Sequence, residues 1–188
     1  MQAITEIHFE RDADWYDWLL NNHAKTNGVY LIFYKLNMSL PTMRWEEAVK
    51  VALCFGWIDS KVQSLGGGKR RQYFSPRNPK SSWSALNKKY IEELDAKGLI
   101  QDHGYKSIEV AKQNGAWTAV DDVENGIIPK DLKEAFNQNP EAYKNYLSFA
   151  KSYQKGYLFW LNSAKRKETQ QKRINEIIRL CAFNIKSR

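Results

Sequence analysis

Three consecutive glycines, Gly66-Gly67-Gly68, stand between two β-prone runs at residues 57–64 and 69–75. Glycine alone reaches positive φ at no steric cost, so a glycine run between strands predicts an antiparallel hairpin with a tight reversal. Strand periodicity then sets Ile58, Ser60 and Val62 on one face and Trp57, Asp59 and Lys61 on the other. In one register Arg71 and Tyr73 join Asp59 and Lys61; the residues alone leave that register open. A phosphate-binding Walker loop is excluded, because it needs a glycine where Gln63 stands and Ser or Thr where Arg70 stands.

The segments around the hairpin predict an α+β fold: a small antiparallel or mixed sheet, followed by a mostly helical C-terminal half. Residues 4–9 alternate as a short half-buried strand. A helix starts near Asp12 or Asp14, carries Trp15, Trp18 and Leu19, and is expected to end at Asn27-Gly28. Residues 29–34 are apolar and β-prone on both faces, as in a central strand. Trp45, Ala48, Val49, Ala52 and Leu53 form the stripe of an amphipathic helix that ends at Gly56. Beyond Pro76 and Pro79, Ser82 or Ser84 caps a helix bearing Leu86, Tyr90 and Leu94, and another helix covers roughly residues 105–114. Pro129 and Pro140 mark helix starts, where a missing N–H does no harm. Tyr146, Phe149, Tyr153, Tyr157 and Trp160 recur at helical intervals and read as core. The last helix buries Ile174, Ile177, Ile178, Cys181 and Ile185. One domain over residues 1–188 is expected, with an α+β lobe at 1–120 and a helical lobe at 121–188.

Charge narrows the function classes. The net charge is +8, and between Ser60 and Ile91 there are eight basic residues and no acid. Such a field attracts anions, whether small ligands or nucleic acid. No apolar run reaches the ~20 residues of a membrane span. The first residues lack the basic and apolar regions of a secretory signal, and Cys54 and Cys181 are unpaired in spacing, so a reducing, cytoplasmic setting is expected. His8, His23 and His103 are scattered, so neither metal nor cofactor is expected. Cys54 sits near a helix C-terminus, where the dipole disfavours a thiolate, and reads as inert; it is placed in a cleft between helix and hairpin.

Three stretches are similar to motifs of the YdeI/OmpD-associated, or bacteriocin-protection, family. They are Ala52-Leu53-Cys54-Phe55-Gly56-Trp57-Ile58-Asp59-Ser60, then Ser75-Pro76-Arg77-Asn78-Pro79-Lys80-Ser81-Ser82-Trp83-Ser84-Ala85-Leu86-Asn87, and Ala164-Lys165-Arg166-Lys167-Glu168-Thr169 with Lys172-Arg173-Ile174. The chain departs from the family pattern at Ser60 (usually Gly), Ser75 (usually Thr) and Gln170 (usually Arg). The resemblance implies an association with bacteriocin protection and an outer-membrane porin, and names neither a reaction nor a ligand.

The candidate binding surface is the basic, aromatic hairpin with the loop after it: Trp57, Asp59, Lys61, Arg71, Tyr73, Arg77, Lys80, Trp83 and Asn87. Cations and indoles beside a serine-capped helix start suit an anionic ligand or nucleic acid. The competing reading makes Trp57 and Trp83 core, pairs Asp59 with Lys61 or Arg71, and reduces the serine to a cap. An enzymatic alternative uses Asp59 as general acid/base, with Arg77 or Lys80 holding an anionic group. A third reading is a scaffold whose basic helices, with Lys165, Lys172 and Arg179 on one face, dock a partner protein.

Overall fold

The computed structural model describes residues 5–187. Ile4, the expected first residue of the N-terminal strand, and the opening residues read for a signal lie outside the described residues. The chain divides into two compact units, Met1–Thr118 and Ala119–Arg188.

The first unit is built around a four-stranded mixed sheet, with β1 (Glu6–His8), β2 (Val29–Tyr34), β3 (Trp57–Gly66) and β4 (Lys69–Pro76) in the order β1-β2-β4-β3. β1 runs parallel to β2, while β2–β4 and β3–β4 are antiparallel. β2 is therefore interior, which explains its apolar residues on both faces. The hairpin turns at Gly66, Gly67 and Gly68, all at positive φ. One residue bulges on β3 between Asp59 and Val62, opposite the two-residue step from Phe74 to Gln72. That bulge decides the open register. Asp59 shares a face with Phe74 and Gln72, while Arg71 and Tyr73 lie on the other side of the sheet.

The inner face of the sheet carries Val29, Leu31, Phe33, Trp57 and Phe74, all buried. It packs against α1 (Asp12–Asn22) and α2 (Trp45–Cys54), joined by α3 (Ala85–Asp95) and α4 (Asp102–Gln113). Trp15 is the hub: its indole N–H donates to Ala48 O at 3.1 Å, and its ring lies within 6.4 Å of Trp57 and 5.8 Å of Phe74. α1 stops at Asn22, five residues short of the expected end at Asn27. Gly28 serves a different purpose, since a Cβ there would lie 2.0 Å from the Tyr73 hydroxyl. Ser84 caps α3, accepting from Asn87 N at 3.2 Å, and Leu86, expected inside, faces out.

The second unit is helical: α5 (Asp121–Glu124), α6 (Lys130–Asn137), α7 (Pro140–Ser148), α8 (Lys151–Asn162) and α9 (Lys167–Ala182). The aromatic series is not one stripe, because the chain is extended at Phe149 and Ala150 between α7 and α8. Tyr146, Phe149 and Tyr157 are buried, whereas Tyr153 is exposed. The buried Gln154 amide closes the break by donating to the carbonyls of Tyr146, Leu147 and Phe149. Ile174, Ile177 and Cys181 face the core of α9 as expected, while Ile185 lies past its end and is exposed. On the solvent side Lys172 and Arg179 pair within the helix with Glu168 and Glu176. No helix among the described residues is long and apolar enough to cross a membrane.

Candidate functional site

The nine residues proposed as one surface do not share one surface. Trp57 and Trp83 are core, 1% and 0% exposed, and offer no free indole face for stacking on a large ligand. Both sit where apolar neighbours converge, Trp57 near Trp15 and Trp18, and Trp83 against Trp117 at 5.0 Å. Arg71 and Tyr73 belong to the opposite face of the sheet. There Arg71 pairs with Glu6, donates to Gln63 Oε1 and lies 4.4 Å over the Tyr30 ring, and Tyr73 donates to Asn27 O at 3.2 Å. Lys61 and Lys80 are exposed. Asn87 acts through its backbone N–H, which Ser84 satisfies.

Asp59 pairs with neither Lys61 nor Arg71. Its Oδ2 accepts from Trp45 Nε1 at 3.0 Å and from the Gln72 amide. It does not line the clefts that His23, Cys54, Gly67 or Tyr157 line.

Arg77 is the exception within the set. The loop that follows β4 folds its guanidinium onto the Trp83 ring, 3.8 Å from the centroid, and Nη2 donates to Ser82 O. Nε and Nη1 are buried without a partner. Burial pushes the guanidinium down to about 10, a shift that the nearby Asp59 carboxylate opposes. The ring contact and the bond to Ser82 O stand against the cost of burying this cation.

Arg77 and Trp57 both line a cleft of about 240 Å³ whose other polar walls are His23, His103, Lys106 and Ser107. Phe55, Pro76, Pro79 and Val110 supply apolar walls, and no carboxylate lines it. His103, Lys106 and Ser107 are spaced i, i+3, i+4 on α4 and so share one helix face. The start of α4 is seated by backbone contacts: Gln101 N donates to Cys54 O at 2.9 Å, and a Cβ on Gly104 would lie 2.4 Å from that same oxygen. Across the contact, a Cβ on Gly56 would lie 2.7 Å from His103 O.

The two histidines, scattered in sequence, meet here. His23 Nδ1 is 2.8 Å from Leu19 O, and His23 Nε2 is 3.2 Å from His103 Nδ1. A carbonyl only accepts, so His23 carries its proton on Nδ1 when neutral and presents a lone pair at Nε2. His103 then donates from Nδ1 and keeps its own lone pair at Nε2. Among the described residues no three His, Cys, Asp or Glu side chains cluster, and Arg77 and Lys106 bring positive charge.

Cys54 is 2% exposed and lines a different cleft, between α1, α2 and the end of α3, instead of one beside the hairpin. Its thiol donates to Lys50 O at 3.4 Å, and burial pushes it up to about 11. Both Cys54 and Cys181 are free and buried.

Residues 7–107 match the family model described as a domain of unknown function, DUF8412. The chain belongs to the DUF8412 family. The DUF8412 match contains His23, Arg77, His103, Lys106 and Ser107, and also the first two motif stretches of the YdeI/OmpD-associated resemblance. Residues 125–184 match the model described as Bacteriocin-protection, YdeI or OmpD-Associated, which covers the third stretch and supports the family read from the residues. No curated protein and no solved structure matches the chain.

Proposed function

We propose that the first unit binds a small organic oxyanion in the cleft bounded by Arg77, Lys106, His23 and His103. The observation that carries this reading is the lining itself, in which two cations, two imidazoles and a hydroxyl meet among apolar walls without a carboxylate. A cleft of about 240 Å³ is below the 300–1,000 Å³ typical of drug-sized ligands, which favours a ligand of few heavy atoms. The free, buried Cys54 and Cys181 support a reducing compartment for it. The test titrates phenyl phosphate into wild type and Lys106→Glu at low salt, read by tryptophan fluorescence. Lys106 is exposed, so the substitution reverses a charge without disturbing the core. Wild type is expected to saturate, with the variant at least about tenfold weaker through loss of a charge-assisted contact. No saturation in wild type, or equal affinities, refutes the proposal.

A second reading, nucleic-acid binding, rests on a separate groove of about 610 Å³ at the hairpin tip. Tyr34, Lys35, Lys69 and Arg70 line it together with Val62 and the three glycines, again with no carboxylate. Three cations on a single strand predict a log–log salt slope of about −2 in an oligonucleotide anisotropy titration. A flat titration at low salt removes this reading and leaves the cleft untouched.

A further inference from the structure

Resting on the oxyanion reading of the cleft, we propose that it selects phosphate monoesters in their doubly charged form and takes up one proton at His103 on binding them. The inference follows from the hydrogen-bond order of the imidazole pair. Leu19 O accepts from His23 Nδ1, and His23 Nε2 accepts from His103 Nδ1. Each donor and acceptor in that chain is committed, so the neutral pair leaves one nitrogen for a ligand, His103 Nε2, and it holds a lone pair. Facing an oxyanion, a lone pair repels. One added proton converts Nε2–H into a cationic donor without breaking either hydrogen bond of the chain.

The surroundings set the balance of that proton. Lys106 on the same helix and Arg77 on the loop after β4 are the cations that share the cleft. The corner between α2 and β3 adds Phe55, Gly56 and Trp57, none of which titrates, and the turn just after α1 contributes His23 alone. No carboxylate stands in the lining. A dianion supplies the missing negative charge. In the bound state the ligand keeps both charges, the pair carries one, and the proton comes from solution. A phosphate monoester that already carries its second proton transfers it to His103 instead, and the net uptake falls to zero. A carboxylate brings a single charge and gains less from the same proton.

The measurement is isothermal titration calorimetry of phenyl phosphate in two buffers of different ionisation enthalpy at about pH 7.5, above the second phosphate pKa of about 6. The apparent enthalpy is expected to change with the buffer by an amount matching uptake of close to one proton. Benzoate, with the same ring and one charge, is expected to bind at least about tenfold more weakly. His103→Gln is expected to retain binding through Lys106 and Arg77, weakened about tenfold, with no dependence on the buffer. Wild-type binding without buffer dependence, or a dependence that persists in His103→Gln, overturns the proton linkage while leaving the oxyanion cleft standing. Equal affinity for benzoate overturns the selectivity. Absence of phenyl phosphate binding overturns the cleft itself. The wild-type buffer comparison needs no variant, so it decides the linkage even if His103→Gln does not fold.

Discussion

Replacing Arg77 by methionine separates a strut from a binding residue. Methionine keeps an unbranched stem over the Trp83 ring and removes the charge. Arg77 gains about 1–2 kcal/mol from its ring contact when desolvated and about 1.5–3 kcal/mol from its charged bond to Ser82 O. Against this stands the cost of burial, which depresses the guanidinium to about 10, equivalent to about 3 kcal/mol at neutral pH. The two sides nearly cancel, so Arg77→Met is expected within about 1 kcal/mol of wild type by urea unfolding followed through tryptophan fluorescence. Phenyl phosphate binding is expected to fall at least tenfold, a loss of about 1.4 kcal/mol or more. The pH dependence carries a sign. Because the folded value lies below the ordinary one, the unfolded chain holds more protons on Arg77 above about pH 10, and the burial cost of this one group falls there as pH rises. Arg77→Met lacks that dependence. A destabilisation above about 3 kcal/mol, with binding intact, refutes the reasoning and makes Arg77 a structural clamp of the 76–84 loop.

Other substitutions test the frame of the cleft. Gly104→Ala places a methyl 2.4 Å from Cys54 O and 2.8 Å from Ile100 Cγ2, and is expected to cost about 2–3 kcal/mol in chemical unfolding despite better helix propensity. Ser84→Ala removes the acceptor for Asn87 N and is expected to cost about 1 kcal/mol, measured the same way. Cys54 and Cys181, pushed by burial to about 11 and about 12, are expected to resist an aromatic disulfide reagent at about pH 8 until the protein is unfolded. Since their folded values are raised, the stability they contribute is present below the ordinary thiol value of 9 and is lost as pH climbs through about 11, readable as a falling Tm in alkaline buffer.

What the residues disclosed beforehand follows how locally each feature is encoded. The hairpin was legible because three adjacent glycines leave the backbone few alternatives, and β2 because an apolar run on both faces suits an interior strand. A serine cap at Ser82 or Ser84 was legible for the same local reason, and the structure uses Ser84. The end of α1 was not, since Asn22 and His23 carry no terminating glycine and Gly28 answers to Tyr73, a contact 45 residues away. The face occupied by Arg71 and Tyr73 depends on the bulge between Asp59 and Val62, where no glycine or proline marks it. Half of the cleft was visible in the basic loop at Arg77. The other half depends on His23 and His103, 80 residues apart, which only tertiary packing brings to 3.2 Å. The i, i+3, i+4 spacing of His103, Lys106 and Ser107 was the one available hint.

The way α4 is seated has a mechanical consequence. Where two glycines let main chain rest on main chain, no layer of side chains remains to be compressed or reshuffled, and small displacements are resisted by bonded geometry. The imidazole one residue before Gly104 therefore stands at a fixed address. Any molecule entering beside it must conform to that nitrogen, and selectivity can arise from shape intolerance without a closing lid.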